Sequence, residues 1–332
     1  MPKEKTKTQT KARGVKRTAQ RSGPAISIAE FLELKKPKGD VVLQIGSERV
    51  SLTSLDRVYW QDEKLTKFDL LSYYLKISPL IMPYLKDRPA ILQRYPRGVG
   101  APMFFQQDLE SAPSFIKTER LTNQEGRELD YAVYTTPASL LHFVNLGTIE
   151  QHPWHSTTKH LLTPDYLMLD LDPKDAPWTN VLQVALVTKQ VFDDLGWISY
   201  PKTSGSSGIH IYLPLKPKHD YARIAGLASA LAAEIAARAP KIATTQRSIA
   251  KREKQQVYVD WMQNAKGKSI ASPYSARARR GASVSMPLHW EQIKRGVKIS
   301  DFTIRNVPRL VVEHGDAWEN FFKDRQLLKL SG

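Results

Sequence analysis

Two aspartates, Asp170 and Asp172, stand one residue apart in the segment Leu169-Asp170-Leu171-Asp172-Pro173. Side chains alternate faces along a strand, so the leucines would enter a core and both carboxylates would project from the opposite face. Neighbouring carboxylates repel each other unless a cation lies between them, and hard divalent cations prefer oxygen ligands. The pair indicates a metal site, although a strand that runs into an Asp-Pro turn explains it equally well.

Three later segments carry side chains that suit the same chemistry. Asp260 is the one carboxylate in the apolar segment 257–261, and Asp is rarely buried without a partner. His210 follows a run of Ser and Gly at 204–208, whose backbone N–H groups can converge on an anion. Arg277 can offer a forked contact to phosphate. A Ser/Gly run or a lone His is usually structural, but together these residues describe a two-metal phosphoryl- or nucleotidyl-transfer site.

The elements that would position these residues follow a regular order. Hydrophobic periodicity predicts strands at 166–171, 197–202, 209–213 and 257–261, with helices at 179–195 and 221–239. The order β-α-β-β-α-β is ferredoxin-like, and it places the first strand between the third and the fourth. We therefore expect Asp170, His210 and Asp260 to lie on neighbouring strands.

The preceding part of the chain reads as a mixed α/β module. Periodicity and turn residues predict helices at 26–36, 66–86 and 136–146, a hairpin at 41–52, and strands at 90–95 and 129–134. Pro79 and Pro83 are expected to kink or divide the second helix. The fold class is α/β of the α+β type. We expect one domain over 25–332, made of an N-terminal module (25–160), a core that carries the three aspartates (161–300) and a C-terminal segment (301–332).

The chain has 332 residues and a formal net charge of +16, which points to a polyanion such as nucleic acid. Residues 1–24 contain eight Lys or Arg against the single acid Glu4 and are expected to be a disordered basic tail. Loose, sequence-independent contact with DNA is the favoured role, and a solubility feature or a transit peptide are the alternatives. The absence of cysteine excludes disulfides and thiolate sites. No apolar run approaches the ~20 residues of a membrane helix, and a cytoplasmic, nucleoid-associated location is expected.

Several of these segments resemble the polymerase domain of bacterial ligase D, a member of the archaeo-eukaryotic primase superfamily. The resemblance covers nearly everything after about residue 40. Its motifs are Leu169–Pro173, Thr203–His210, Val259-Asp260-Trp261 and Pro273–Arg277, with earlier agreement at 52–59, 88–90, 104–105 and 150–154. It implies a primase-polymerase fold in which the module 25–160 binds DNA ends and 161–300 is the catalytic core.

The resemblance also implies roles for individual residues. Asp170, Asp172 and Asp260 would bind two divalent ions, with Mn²⁺ favoured and Mg²⁺ possible. The residues implied at the incoming nucleotide are Ser204, Ser206, His210, Arg277 and His152. The residues implied at DNA are Arg57 and Lys67 on a 5′-phosphate, Phe104 and Phe105 on bases, and Arg94, Lys266 and Arg279 elsewhere on the strands.

The function implied is template-dependent addition of NTPs or dNTPs at broken ends and 5′-phosphorylated gaps in non-homologous end joining. Ku is an expected partner, and so is a separate ATP-dependent DNA ligase, because this sequence has no ligase nucleotidyl-lysine motif. A stand-alone primase or gap-filling polymerase is the nearest alternative. A metal-dependent nuclease is disfavoured by the Ser/Gly turn and Arg277, and an inactive DNA-end-binding module by the three aspartates.

Overall fold

The computed structural model describes residues 15–19, 23–123 and 125–328. The first half consists of short strands and three helices. The helices are α1 (Ile28–Glu33), α2 (Lys67–Leu85) and α3 (Pro137–Asn145). The strands are β1 (Lys16–Arg17), β2 (Ala25–Ile26), β3 (Val41–Ile45), β4 (Glu48–Leu52), β5 (Val58–Trp60), β6 (Leu65–Thr66), β7 (Pro89–Ala90), β8 (Leu92–Arg94), β9 (Phe104–Gln106), β10 (Ser111–Ala112), β11 (Lys117–Thr122), β12 (Glu128–Val133) and β13 (Thr148–Glu150).

These strands form several small sheets, ordered β2-β3-β4, β5-β6, β11-β12-β7 and β13-β8-β9. The predicted hairpin is confirmed as β3 and β4. The single strand predicted at 90–95 is wrong, because β7 joins β12 while β8 joins β13 and β9. The predicted division of the second helix is also wrong. Helix α2 runs through Pro79 and Pro83, since a capping box of Thr66 and Asp69 holds its start and packing against α3 supports its length.

The second half contains a five-stranded sheet, named the catalytic sheet because it carries the predicted catalytic aspartates. Its elements are β14 (Tyr166–Asp172), α4 (Trp178–Asp194), β15 (Tyr200–Thr203), β16 (Ile209–Pro214), α5 (Tyr221–Arg238), β17 (Ala243–Thr244) and β18 (Val257–Asp260). The strand order is β15-β16-β14-β18-β17, which confirms the predicted ferredoxin-like arrangement and adds β17 at one edge. Helices α4 and α5 pack on the face where Leu167, Leu169 and Leu171 are fully buried. The other face of β14 is left for Asp170 and Asp172.

The C-terminal segment returns to both halves of the molecule. It contains α6 (Trp290–Lys294) and α7 (Val307–His314), and α7 packs on α2. Trp318 and Phe321 are buried, and their rings stack 4.9 Å apart beside Tyr200 and Tyr212. One hydrophobic core therefore extends from Phe31 near the start of the module to Leu328. Within the described ranges, no helix combines the length and apolar character needed to cross a bilayer.

The predicted basic tail is partly ordered. Residues 1–14 and 20–22 lie outside the described residues, but β1 pairs in parallel with β10. The Arg17 guanidinium donates hydrogen bonds to the carbonyl oxygens of Pro113 (3.1 Å) and Ile116 (2.9 Å). Val15 packs against the core. The expectation of disorder is wrong for residues 15–19, because hydrogen bonds hold a segment that hydrophobic content alone would not.

Candidate active site

Three carboxylates lie side by side on the catalytic sheet. Asp170 pairs in register with Asp260 on β18 and with His210 on β16, and Asp172 follows on the same face of β14. Asp260 accepts a hydrogen bond from the backbone N–H of Met262 at 2.8 Å. Burial, together with the negative charges of Asp172 and Asp260, raises the pKa of Asp170 to about 7. The sheet therefore concentrates like charges at the end of β14.

These carboxylates suit a hard divalent cation in chemical type and mutual charge. Oxygen donors are the ligands that Mg²⁺ and Mn²⁺ prefer, and a cation would relieve the repulsion among Asp170, Asp172 and Asp260. In the part of the chain that the structure describes, however, no three His, Cys, Asp or Glu side chains already form a metal-ligand cluster. The register brings the three residues together, but their side chains are not pre-positioned as a closed ligand set.

The Ser/Gly turn lies between β15 and β16. The backbone N–H groups of Ser206, Ser207 and Gly208 all point at the Ser204 hydroxyl, at 3.1, 3.2 and 2.9 Å. The N–H groups converge as the sequence predicts, but they converge on Ser204 Oγ. Ser204 therefore orders the turn, while Ser206 and Ser207 line the adjacent cavity.

Glycine is required at two positions of this turn. Gly205 has φ +70° and lies so close to Arg277 and Ser285 that a Cβ would come within 2.7 Å of Arg277 Cγ. At Gly208, a Cβ would lie 2.2 Å from the carbonyl oxygen of Leu171. The turn is thus packed directly against the end of the strand that carries Asp170 and Asp172.

Arg277 is held in place by a buried carboxylate that the sequence did not single out. Its Nε donates to Glu150 Oε2 at 2.9 Å, and its Nη1 donates to the carbonyl oxygen of Ser204. Glu150 also bonds His152 Nε2 at 2.9 Å. Burial alone would raise the pKa of Glu150, but the hydrogen bond from His152 and the charge of Arg277 lower it to about 2. Glu150 thus fixes both Arg277 and His152 at the site.

Sequence reasoning also missed Lys202, a fully buried lysine on β15. Its Nζ lies 2.8 Å from His210 Nδ1 and donates to Ala271 O and to Ser285 Oγ. Burial and the charge of Arg277 hold the pKa of Lys202 well below its ordinary value. With Lys202 bonded at Nδ1, His210 directs Nε2 toward Asp170 Oδ1, 3.5 Å away. The available signal was strand register, which pairs Lys202 with His210.

A cavity of about 260 Å³ lies among these groups. It brings together every residue predicted at the nucleotide with two of the three aspartates. Its lining is His152, Asp170, Asp172, Ser204, Ser206, Ser207, Gly208, His210, Gln263, Ser269, Ile270, Ala271 and Arg277.

The predicted phosphate-binding cations meet in the N-terminal module. Arg57 precedes β5 and Lys67 follows β6, and the pairing of these strands places the Lys67 N–H 2.8 Å from the Arg57 carbonyl oxygen. Lys67 is buried, and its Nζ donates to the Thr53 carbonyl oxygen at 2.7 Å. Burial, then the charge of Arg57 and, less strongly, that of Arg94, lower the pKa of Lys67 to about 8. Arg57, Lys67 and Arg94, named the cationic pocket, are therefore close enough for their charges to interact.

The predicted base-stacking residues are exposed. Phe104 and Phe105 on β9 are 46% and 61% exposed, although both are large and apolar. The Arg94 guanidinium lies over the Phe104 ring, 5.2 Å from its centre. Phe105 lines a second cavity together with His152. The two rings thus connect the cationic pocket with the cavity beside β14.

The remaining residues predicted to contact DNA, Lys266 and Arg279, lie outside the cavity beside β14. Lys266 lines a third cavity with Gln263, which also lines the cavity beside β14. The backbone carbonyl of Arg279 accepts a hydrogen bond from Trp60 Nε1 at 2.9 Å, and its side chain is exposed. These positions leave both cations at the border of the site.

Comparison with known proteins decides the family. Residues 66–318 match the family described as the LigD primase-polymerase domain. The chain belongs to this family. The Bifunctional non-homologous end joining protein LigD of Bacillus subtilis is 31% identical over 281 residues, covering 84% of this chain and 45% of that protein. The Multifunctional non-homologous end joining protein LigD of Pseudomonas aeruginosa is 28% identical, over 79% of this chain and 31% of that protein.

A solved structure agrees with this assignment. The polymerase domain from Mycobacterium tuberculosis ligase D in complex with DNA superposes with a TM-score of 0.78 at 25% identity, over 84% of this chain and all of that one. This chain spans less than half the length of the two curated relatives. The predicted family, primase-polymerase fold and nucleotidyltransferase class are confirmed.

Proposed function

We propose that this protein adds nucleotides to a primer strand at broken or gapped DNA, directed by a template, in non-homologous end joining. One observation supports this proposal more strongly than any other. Asp170 is flanked in strand register by Asp260 and His210, and a cavity beside it is lined by Arg277 and His152. Carboxylates on one wall and a phosphate-binding cation, Arg277, on the other are what nucleotidyl transfer needs.

The carboxylates are assigned to metal binding. Asp170, Asp172 and Asp260 would hold two divalent ions, Mn²⁺ or Mg²⁺, which when bound supply positive charge at the phosphoryl group being transferred. The bond that forms joins the primer 3′ oxygen to the α-phosphorus of the nucleotide, and pyrophosphate leaves. His210 holds the Asp170 carboxylate in position through Nε2, and Lys202 holds the His210 ring through Nδ1.

The other wall is assigned to the incoming NTP or dNTP. Arg277 is fixed by Glu150, so its remaining N–H groups can bind triphosphate oxygens without a further loss of side-chain freedom. Ser206 lies in the turn beside it, which Ser204 orders. His152 borders both this cavity and the one that Phe105 lines, a suitable place for the base or sugar.

The N-terminal module is assigned to the DNA. A terminal 5′-phosphate carries more charge than an internal diester, and Arg57, Lys67 and Arg94 provide three cations near one another for it. Phe104 and Phe105 offer exposed π-faces on which bases can stack. Ku and a separate ATP-dependent ligase are proposed partners, in a nucleoid-associated, cytoplasmic setting.

A primer-extension assay tests the proposal. The substrates are a gapped duplex with a downstream 5′-phosphate, the same gap without it, and a primed single-stranded template, each with Mn²⁺ or Mg²⁺ and with ribo- or deoxynucleotides. We expect metal-dependent addition of the complementary nucleotide, fastest on the phosphorylated gap.

Two results would contradict the proposal. Metal-dependent shortening of the DNA without nucleotide consumption would identify a nuclease. Tight binding of the gap with neither reaction would identify an inactive end-binding module.

A further inference from the structure

Lys202 on β15 forms hydrogen bonds with three separate parts of the site. Its Nζ lies 2.8 Å from His210 Nδ1 and 2.9 Å from the carbonyl oxygen of Ala271, and it also donates to Ser285 Oγ. The side chain is fully buried. An ammonium group has three N–H groups, and a neutral amine has two N–H groups and a lone pair, so three partners occupy either form. Lys202 therefore has no hydrogen-bonding group left for a substrate and can act only through its partners.

The first partner leads to the carboxylates. Strand register places Lys202 opposite His210 and His210 opposite Asp170, so the three residues form a row across β15, β16 and β14. Asp260 continues this row on β18. Because Lys202 holds Nδ1, the His210 ring directs Nε2 toward Asp170 Oδ1, 3.5 Å away. The orientation of Asp170 therefore depends on Lys202 through His210.

The other two partners lie on either side of Arg277 in the sequence. Ala271 lines the cavity beside β14, and Ser285 is fully buried. The Ser285 N–H donates to the Ser275 carbonyl oxygen at 2.9 Å, so the segment 271–285 folds back on itself around Arg277. Lys202 thus fastens to β15, at two points, the segment that carries Arg277.

We propose that Lys202 is a positioning residue that aligns the carboxylate wall of the cavity with the triphosphate wall. It orients Asp170 through His210, and it holds Arg277 through the segment 271–285. This inference rests on the proposed function, which assigns metal to Asp170 and the triphosphate to Arg277. Both walls must hold the same phosphate chain during transfer, and a small misplacement is costly in rate. A buried side chain that bonds both walls fixes their separation.

Two dissociation constants of the full chain test the proposal. The first is that of Mn²⁺ without nucleotide, measured by electron paramagnetic resonance of the free ion. The second is that of a nucleotide with a methylene group in place of the α–β bridging oxygen, which binds without transfer, in saturating Mn²⁺. We expect Lys202→Met to raise both constants roughly tenfold, because each wall loses a buried hydrogen bond and keeps an unsatisfied partner.

One variant on each side separates the two walls. Ser285→Ala should raise the nucleotide constant roughly threefold to tenfold and leave the Mn²⁺ constant unchanged, because it removes a contact on the Arg277 side only. His210→Gln should raise the Mn²⁺ constant. Adding Lys202→Met to His210→Gln should raise the Mn²⁺ constant no further, because Lys202 acts on Asp170 only through His210.

Ser272→Ala is the matched control for Ser285→Ala. Ser272 is buried in the same segment, and its hydroxyl has no hydrogen-bond partner within the described part of the chain. This variant should leave both constants unchanged. Thermal unfolding is recorded for every variant, and if Lys202→Met does not fold, the contrast between Ser285→Ala and Ser272→Ala decides.

Equal nucleotide constants for Ser285→Ala and Ser272→Ala would overturn the inference. A further loss of Mn²⁺ affinity when Lys202→Met is added to His210→Gln would also overturn it. Nucleotide addition is measured separately. The expected pattern of constants in a protein that adds no nucleotide would overturn the proposed polymerase function and leave the positioning role supported. Nucleotide addition with neither constant changed by Lys202→Met would overturn the positioning role alone.

Discussion

The catalytic sheet and the N-terminal module position their proposed functional residues by different means. In the sheet, Asp170, His210 and Asp260 are neighbours because antiparallel register pairs their strands. In the module, Lys67 and Arg94 come from a helix start and a separate short strand, and meet only through tertiary packing. A site built on one regular sheet follows from strand order, whereas a site gathered from several small elements does not. Substitutions in the catalytic sheet should therefore impair nucleotide addition, and substitutions in the module should impair recognition of the 5′-phosphate, each without the other effect.

The largest effect is expected for Asp170→Asn. Removing this carboxylate should lower nucleotide addition by roughly 10³-fold, because it removes charge that positions the cations at the transferred phosphoryl group. The dissociation constant for gapped DNA should change little, since DNA affinity comes mainly from Lys and Arg. Primer extension and fluorescence anisotropy on the same preparation measure the two quantities.

Asp175→Asn is the matched control, because Asp175 is exposed on the turn beyond β14 and makes only a surface ion pair with Lys174 at 3.3 Å. It should behave as wild type. If Asp170→Asn weakened DNA binding as much as it slowed addition, the aspartate would be structural and the separation of the two regions would be lost.

The next effect is expected for Arg277→Met, which should raise the KM for the nucleotide about 10- to 100-fold. Charge-assisted contacts of this kind are worth roughly 1.5–3 kcal/mol, and each 1.4 kcal/mol is tenfold. Because the substitution also removes the cation that pairs with the buried Glu150 carboxylate, thermal unfolding is measured alongside. The double variant Glu150→Gln with Arg277→Met should recover stability but not the KM, and recovery of both would show that Arg277 acts only by supporting Glu150.

In the module, Lys67→Met should erase the preference for 5′-phosphorylated over unphosphorylated gaps, about tenfold in the ratio of dissociation constants. Nucleotide addition on an unphosphorylated gap should stay near the wild-type rate. Lys64→Met is the control, since Lys64 is an exposed cation in the turn between β5 and β6. A similar loss in Lys64→Met would show that the preference comes from general electrostatic attraction and not from the cationic pocket.

The same pocket predicts a pH dependence. The pKa of Lys67 is lowered to about 8, and only the protonated amine attracts phosphate as a cation. The preference for a 5′-phosphate should therefore fall as pH rises through about 8, with the midpoint moved upward by the bound phosphate itself. Lys67→Arg should remove this dependence, because guanidinium stays protonated, and an unchanged pH profile in that variant would assign the titration to another group.

The smallest effect is expected for Thr66→Ala at the start of α2. The Thr66 hydroxyl accepts the Asp69 N–H in the capping box, and loss of such a cap costs about 1 kcal/mol of the free energy of unfolding. Urea denaturation should show this shift, and Thr66→Ser should largely avoid it. A much larger loss would mean that the capping box also supports Lys67 as part of the pocket.

Much of the catalytic half was predictable because period-two alternation fixes faces and the β-α-β-β-α-β order fixes neighbours. Asp170, Asp260 and His210 were placed correctly by these two rules. Glu150 was not found, because it lies in a different small sheet and reaches Arg277 only through packing between the two halves. Lys202 was not found either, since only its hydrogen bonds to residues distant in sequence show that it holds His210.

The errors elsewhere have the same origin. The segment 90–95 has the composition of one strand, and only its competing partners β12, β13 and β9 divide it. Pro79 and Pro83 predict a broken helix from local sterics, while packing of α2 against α3 keeps it whole. Residues 15–19 lack the hydrophobic content of a strand, and β10 supplies the hydrogen bonds that make one.

The contact at Gly208 has a consequence for how the reaction adapts to its substrates. With no space for even a methyl group between this residue and Leu171, the turn and the carboxylate-bearing strand are obliged to move as one piece. The backbone therefore sets the distance between the Ser/Gly turn and the carboxylates of β14 before a nucleotide binds. Under the proposed function, variation in overhang and gap length is then accommodated near Phe104 and Phe105, the exposed rings that are proposed to contact the DNA.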